Sequence, residues 1–180
     1  MDQSLMAKIK AGDRDAFAKL YDELAESALR VALAITKERM NAADAVQETF
    51  IRVFSNIRAF DDSKPFNPWF YKILVNECNR ILNKNSKAVL TDDFTTNCIY
   101  LAGDDEYHFE EYESLYKAIG SLEDINRIPI VLKYIEGFTE NQIAQTLEVN
   151  INTVKSRLFK GRQKLRKFLE ILEGGNKNHE

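Results

Sequence analysis

Cysteine and histidine are nearly missing from this chain: Cys78, Cys98, His108 and His179 are the whole supply in 180 residues. Zinc needs Cys and His at short repeated spacings and a redox dithiol needs a close pair, so neither a metal nor redox chemistry is expected. Uninterrupted apolar runs of the ~20 residues needed for a membrane span are absent. The opening MDQSLMAKIK has no apolar signal-peptide core. A cytoplasmic protein that does not itself insert into a membrane is the expectation. A Gly-rich phosphate loop, a nucleophile elbow and a convergent catalytic set are also lacking, and neither His lies in a motif that would make it a general base. The expectation is therefore no enzyme and no cofactor. With 44% hydrophobic and 29% charged residues, the chain has enough apolar material for one ordinary core or two small ones.

What is present is helical periodicity. Phe17, Leu20, Tyr21, Leu24 and Leu29 form one apolar series, and Val46, Phe50, Val53, Phe54 and Ile57 another. A further set runs from Leu115, Ile119 and Leu122 through Val131, Leu132 and Ile135, whereas strand-like alternation is hard to find. Between these series, from about Asn83 to Glu113, the pattern fades into a stretch rich in Asn, Thr and Asp. It carries Asp92, Asp93, Asp104, Asp105, Glu106, Glu110, Glu111 and Glu113. It reads either as a solvated spacer or as an acidic segment that enters a basic channel on a partner. The expected fold is all-α: a helical domain over 1–84, a flexible acidic linker over 85–113, a helix-turn-helix domain over 114–172 and a disordered tail over 173–180.

The formal net charge is −3, yet INTVKSRLFKGRQKLRKFL from Ile151 to Leu169 holds seven Lys or Arg and no acid. Upstream, Pro129 is placed at the start of a helix and Gly137 at the left-handed position that closes it. Thr139 and Gln142 fit a capping box, with Ile143 and Leu147 facing inward. Glu148 to Asn150 supply a turn, and a longer helix begins within Asn150 to Asn152. Glu148 stands where a left-handed backbone suits Gly better, which argues for a differently built turn. On a helical wheel Ile151, Val154, Leu158, Gly161, Leu165 and Leu169 share one side, with Asn152, Ser156, Phe159 and Gln163 opposite. Short polar side chains can read base edges in the major groove while Lys and Arg meet phosphates. Phe159 points away from the apolar row, free to meet a thymine methyl or to stand as a solvated aromatic.

The first domain has two unusual faces. Asn41 is read as the N-cap of AADAVQETFIRVFSNI. On its outer side Asp44, Gln47, Glu48 and Ile51 surround an apolar centre with a polar rim, either a solvated face or a docking surface for a basic helical partner. Further on, Asn67 is read as an N-cap and Pro68 as the first helical residue, with Phe70, Leu74, Cys78 and Ile81 buried. The same wheel gathers Trp69, Lys72, Asn76, Arg80 and Asn83, a row able to stack on an unpaired base and hold its backbone. Trp69 capping the core is the other reading. The preceding loop FDDSKPFNP, from Phe60 to Pro68, has the composition of a pocket for an extruded base, where Asp61 and Asp62 can accept from base amino groups.

Taken together, GDRDAFAKLYDEL, DAVQETFIRVF and PWFYKILVNECNR, followed by IPIVLKYIEGFTENQIAQTLEVNINTVKSRLFKGRQKLRKFL, resemble a bacterial extracytoplasmic-function sigma factor. The similarity spans nearly everything from Gly12 to Leu169. It implies a transcription initiation factor that binds RNA polymerase core and directs it to promoters. Asp44, Gln47, Glu48 and Ile51 would then bind the coiled coil of the polymerase largest subunit, and the polymerase flap would be a further contact. Asp61, Asp62, Ser63, Phe66, Asn67, Trp69, Lys72, Asn76 and Arg80 would recognise and open the minus-ten element. Asn152, Thr153, Lys155, Ser156, Arg157, Phe159 and Lys160 would engage the minus-thirty-five element. An anti-sigma factor is the implied regulator. Two other classes fit parts of the pattern: a stand-alone helix-turn-helix regulator, which would bind duplex DNA unaided, and a protein-interaction adaptor.

Overall fold

A computed structural model describes residues 3–88 and 109–175, with side chains over 4–84 and 115–170. Eight α-helices and one 3-10 turn, and no strand, occur among the described residues, in keeping with the all-α expectation. The chain divides into two compact units, Met1–Cys98 and Ile99–Glu180.

The first unit begins with α1 (Gln3–Lys10), a short helix that the sequence reading did not include. Met6 and Ile9 are its buried residues. Gly12 then turns the chain at φ +89°, and Asp13 caps α2 (Arg14–Thr36), its Oδ1 accepting the N–H groups of Asp15 and Ala16 at 2.9 and 3.1 Å. Lys37 closes α2 in the left-handed conformation (φ 65°), and its N–H donates to the Leu33 carbonyl at 2.8 Å. The turn to α3 (Arg39–Asn56) is therefore tight, with Glu38 as N-cap. Asn41 is not that cap: it lies inside the helix and its Nδ2 donates to Glu38 Oε2 at 2.6 Å. A 3-10 turn over Ile57–Ala59 leads through a loop to α4 (Phe66–Ala88).

Helices α2, α3 and α4 pack against one another. Leu20, Leu24, Ala28, Val31 and Ile35 of α2, Ala42, Ala45 and Val53 of α3, and Phe70, Leu74 and Cys78 of α4 are all buried, the alanines allowing close approach. Phe50 and Phe70 bring their rings to 5.3 Å. Phe54 departs from the expected stripe: it is 48% exposed, with its ring 5.0 Å from Phe17. Tyr21 is similarly exposed. Helix α4 also starts earlier than expected, so Asn67 is helical rather than a cap, and Pro68 lies within the first turn, where its missing N–H costs nothing.

The second unit holds α5 (Phe109–Gly120), α6 (Asp124–Tyr134), α7 (Glu140–Leu147) and α8 (Ile151–Gly175). Pro129 does not open α6. The helix starts five residues earlier, its first turn held by the N–H groups of Asn126 and Arg127 on the Glu123 carbonyl. Proline thus removes one interior bond, the one to the Ile125 carbonyl. Arg127 is wholly buried, donating to the Leu122 carbonyl at 3.0 Å and pairing with Asp124 at 2.6 Å. Helices α6 and α7 pack on α8. Gly161 makes that packing possible, because a Cβ there would lie 2.7 Å from Ile130 Cγ1.

Helix covers both ends of the stretch read as a linker, since α4 continues to Ala88 and α5 begins at Phe109. The acidic residues Asp92, Asp93, Asp104, Asp105 and Glu106 lie outside the described residues. Helix α8 likewise continues to Gly175 and takes the first part of the expected tail.

Candidate nucleic-acid and protein interfaces

The outer side of α3 presents Asp44, Gln47 and Ile51 to solvent, with Ile51 51% exposed and Glu48 partly covered. Gln47 and Ile51 stand at the edge of a groove between α2 and α3 of about 760 Å³, whose apolar walls include Phe17, Tyr21, Phe50 and Phe54. The rim and the apolar centre therefore coexist as the sequence suggested, and the exposed Tyr21 and Phe54 enlarge the centre. Glu48 is engaged by Arg52, whose Nε lies 3.1 Å from Glu48 Oε1.

The loop before α4 is tied down locally. Asp61 Oδ1 accepts from the Ser63 N–H at 3.0 Å and from its hydroxyl at 2.7 Å, and these bonds hold the Asp61 carboxyl below its usual pKa. Asp62 pairs with Lys10 of α1 at 2.7 Å, and the same ammonium donates to the Phe60 carbonyl at 2.7 Å. Both carboxylates thus have local partners, on Asp61 Oδ1 and on Asp62 Oδ2, and keep acceptor capacity on the other oxygen. Phe66 is 6% exposed, and its ring packs at 5.5 Å from both Phe60 and Trp69. Little of its ring is therefore open to solvent. Asn67 is exposed.

Trp69 lies 4.9 Å from Phe60 and is only partly covered, so it packs on the aromatic cluster while part of its surface stays open. Trp69, Lys72 and Asn76 line a common groove of about 400 Å³. Arg80 lies further along α4, held by Glu77 Oε2 at 2.6 Å, a bond that raises its guanidinium above the usual value. The same groove contains two charged residues the sequence reading missed, Arg52 and Glu77. A signal for Glu77 existed. It occupies the i+7 position from Phe70, inside the spacing of the buried stripe, where an acid needs a reason.

In the second unit the capping box forms as read: the Gln142 N–H donates to Thr139 Oγ1 at 3.3 Å, and the Thr139 N–H to Gln142 Oε1 at 2.9 Å. Gly137 takes φ +77°. Glu148 is left-handed as well, at φ 52° and ψ 43°, so the turn is built in the ordinary way with an acid in place of glycine. Its N–H donates to the Gln145 carbonyl at 3.4 Å. Helix α8 then buries Val154, Leu158 and Gly161, and exposes Asn152, Lys155, Ser156, Phe159 (55%) and Lys160. Thr153 and Arg157 are partly covered, and Leu169, placed on the inner side by the wheel, is exposed. A shallow depression joins Thr153, Ser156, Arg157 and Lys160 to Glu123, Ile125 and Asn126 of the α6 start. Lys164 donates to Glu123 at 2.8 Å and, with Lys160 nearby, keeps that carboxyl below its usual pKa.

These two surfaces match known families. Residues 20–88 match the Sigma-70 region 2 model and residues 112–165 the Sigma-70 region 4 model. The chain is 31% identical over 184 aligned residues to the ECF RNA polymerase sigma factor SigW of Bacillus subtilis, covering 96% of this chain and 98% of SigW. It belongs to the extracytoplasmic-function sigma factors. A second relative, the RNA polymerase sigma factor SigV of the same organism, is 30% identical with 76% of this chain and 81% of SigV covered. The fold is shared with the sigma factor RpoE of Bartonella quintana, solved together with the anti-sigma factor NepR, at a TM-score of 0.72 and 24% identity over 85% of this chain and 98% of that one. As a sigma factor, the chain is an initiation factor that gives RNA polymerase its promoter specificity, with region 2 and region 4 serving polymerase core and promoter DNA. None of the described helices is long and apolar enough to cross a membrane.

Proposed function

We propose that this sigma factor divides its work by surface. The α3 stripe of Asp44, Gln47, Glu48 and Ile51 docks on the coiled coil of the polymerase largest subunit, an apolar centre inside a polar rim being the composition of a protein interface. The loop from Asp61 to Asn67 and the α4 row of Trp69, Lys72, Asn76 and Arg80 capture an unstacked base of the minus-ten element. Flipping a base costs a few kcal/mol, which stacking worth about 1 to 3 kcal/mol and polar contacts offset together with polymerase binding. Asn152, Thr153, Lys155, Ser156, Arg157, Phe159 and Lys160 read and grip the minus-thirty-five element, and the second unit also meets the polymerase flap. The acidic stretch between the units follows the polymerase toward its RNA exit path.

The chain acts in the cytoplasm, carries out no covalent chemistry of its own, and is held inactive by an anti-sigma factor, as the complex of its structural relative RpoE with NepR suggests. The observation that carries the reading is α8: one helix buries Val154 and Leu158 while showing Ser156, Phe159 and Lys160 to solvent, directly after a capped helix and a tight turn. Reconstituted transcription with bacterial polymerase core tests it. New start sites should appear only when this chain is added, and gel shifts should show weak duplex binding without core. Tight duplex binding by the chain alone, with no new start sites, would establish the stand-alone regulator instead.

A further inference from the structure

Glu77 is 3% exposed, a carboxylate set into the apolar side of α4. Burial of that kind is costly unless the charge is paired. Its partners come from two helices: Oε1 lies 2.7 Å from Arg52 Nε of α3, and Oε2 lies 2.6 Å from Arg80 Nε of α4. Both arginine side chains remain about half exposed, at 47% and 53%. Each is held by Nε, the nitrogen nearest its stem. Arg52 and Glu77 share their groove with Trp69, Lys72 and Asn76. An indole, an amide, an ammonium and an anchored guanidinium in the groove, with the anchored Arg80 further along α4, suit one stretch of single-stranded nucleic acid: the ring takes a base and the forked cations take phosphates.

We propose that Arg52 is a further backbone-phosphate contact for the minus-ten element, and that Glu77 is the positioning residue that holds Arg52 and Arg80 ready for it. This rests on the reading that the α4 row faces promoter DNA. The sign of one substitution separates positioning from bulk charge. Removing a carboxylate beside a polyanion tightens binding if only net charge matters. Loosening two long side chains, with Arg52 left to Glu48 at 3.1 Å, weakens it, because more of their ordering must then accompany binding.

The test uses the full chain assembled with polymerase core and a labelled forked DNA, built on a start site mapped by transcription and carrying a single-stranded non-template minus-ten strand. Affinity is measured across a salt series. Arg52→Gln should weaken binding about tenfold and reduce the log-log salt slope by about 0.7. Glu77→Gln should weaken it about threefold or more, although it removes a negative charge, Glu77→Asp should recover part of the loss, and Glu77→Gln should add no loss in a chain already carrying Arg52→Gln and Arg80→Gln. Thermal unfolding of each variant checks folding, Arg52→Gln included, because that change takes one of two arginine partners from the buried Glu77 carboxylate. Glu77→Gln binding as tightly as the parent or more so, or Arg52→Gln leaving affinity and slope unchanged, would overturn the proposal. Loss in Trp69→Ala and Lys72→Gln without loss in Arg52→Gln or Glu77→Gln defeats it alone; no loss in any of the four defeats the groove reading and the proposal with it.

Discussion

The two units carry their candidate surfaces in opposite ways. In the second, one helix supplies almost everything, and its outward residues are held by local bonds such as that of Ser156 Oγ to the Thr153 carbonyl at 3.0 Å. In the first, the surface is assembled from distant segments already bound to one another: Lys10 with Asp62, and Arg52 with Glu77. The difference teaches where each kind of site can be found. A surface on one helix follows from a 3.6-residue period, whereas a groove between helices exists only after packing has chosen which residues meet.

If the units are independent bodies, the largest effect should stay confined to one of them. Phe70→Ala removes a fully buried ring that packs at 5.3 Å against both Phe50 and Tyr71. It should cost about 3 to 5 kcal/mol. Urea unfolding followed by the fluorescence of Trp69 should shift to lower urea, while the helical signal of the second unit stays in place. A joint shift would break the comparison.

Next in size is base reading by α8. Asn152→Ala and Ser156→Ala should change discrimination between minus-thirty-five sequences by roughly 1 to 3 kcal/mol. Lys160→Ala and Arg166→Ala should weaken all sequences alike and each flatten the salt slope by about 0.9, from a total near −4 to −5 if about five cations meet phosphates. Holoenzyme binding to a panel of promoter variants measures both, and one uniform loss across all four variants would refute the division.

Smaller effects concern the turns. Thr139→Ala should cost the second unit about 1 kcal/mol through its capping box. Lys37 and Glu148 each hold a left-handed backbone without being glycine, one in each unit. Lys37→Gly and Glu148→Gly should each stabilise their own unit by roughly 0.5 kcal/mol, strain relief slightly exceeding the entropy glycine adds to the unfolded chain. Thermal melts would show it.

The smallest effect is electrostatic. The pKa of Glu123 is depressed below the ordinary glutamate value of 4.5, first by the hydrogen bond from Lys164. Its stabilising contribution is thus present above that value and fades as pH falls through the lowered one. Stability measured against pH should show a gap between parent and Lys164→Gln near neutrality that closes in acid; a gap that persists would assign it to packing.

Much of this was legible beforehand. The inward row of Val154 and Leu158, the Thr139 box, the 148–150 turn and the exposed Ile51 each follow from local pattern. The errors share a cause too. Asn41, Asn67 and Pro129 carry helix-start propensities, but each helix starts upstream of them, and propensities of about 1 kcal/mol are readily overridden by tertiary context. Phe54 left the buried role the pattern gave it and lies at the rim of the α2–α3 groove, while Phe66 sits in a cluster of three other rings.

Sequence alone determined that the chain is helical, that its carboxyl end is a capped helix-turn-helix with one cationic face, and which face of α3 turns outward. These are properties of single helices, set by backbone geometry and side-chain order. Only tertiary structure decided that Arg52 and Glu77 join Trp69 in one groove, that Lys10 ties down Asp62, and that Gly161 admits Ile130. Such contacts depend on the rotation and spacing of packed helices, which no local period encodes.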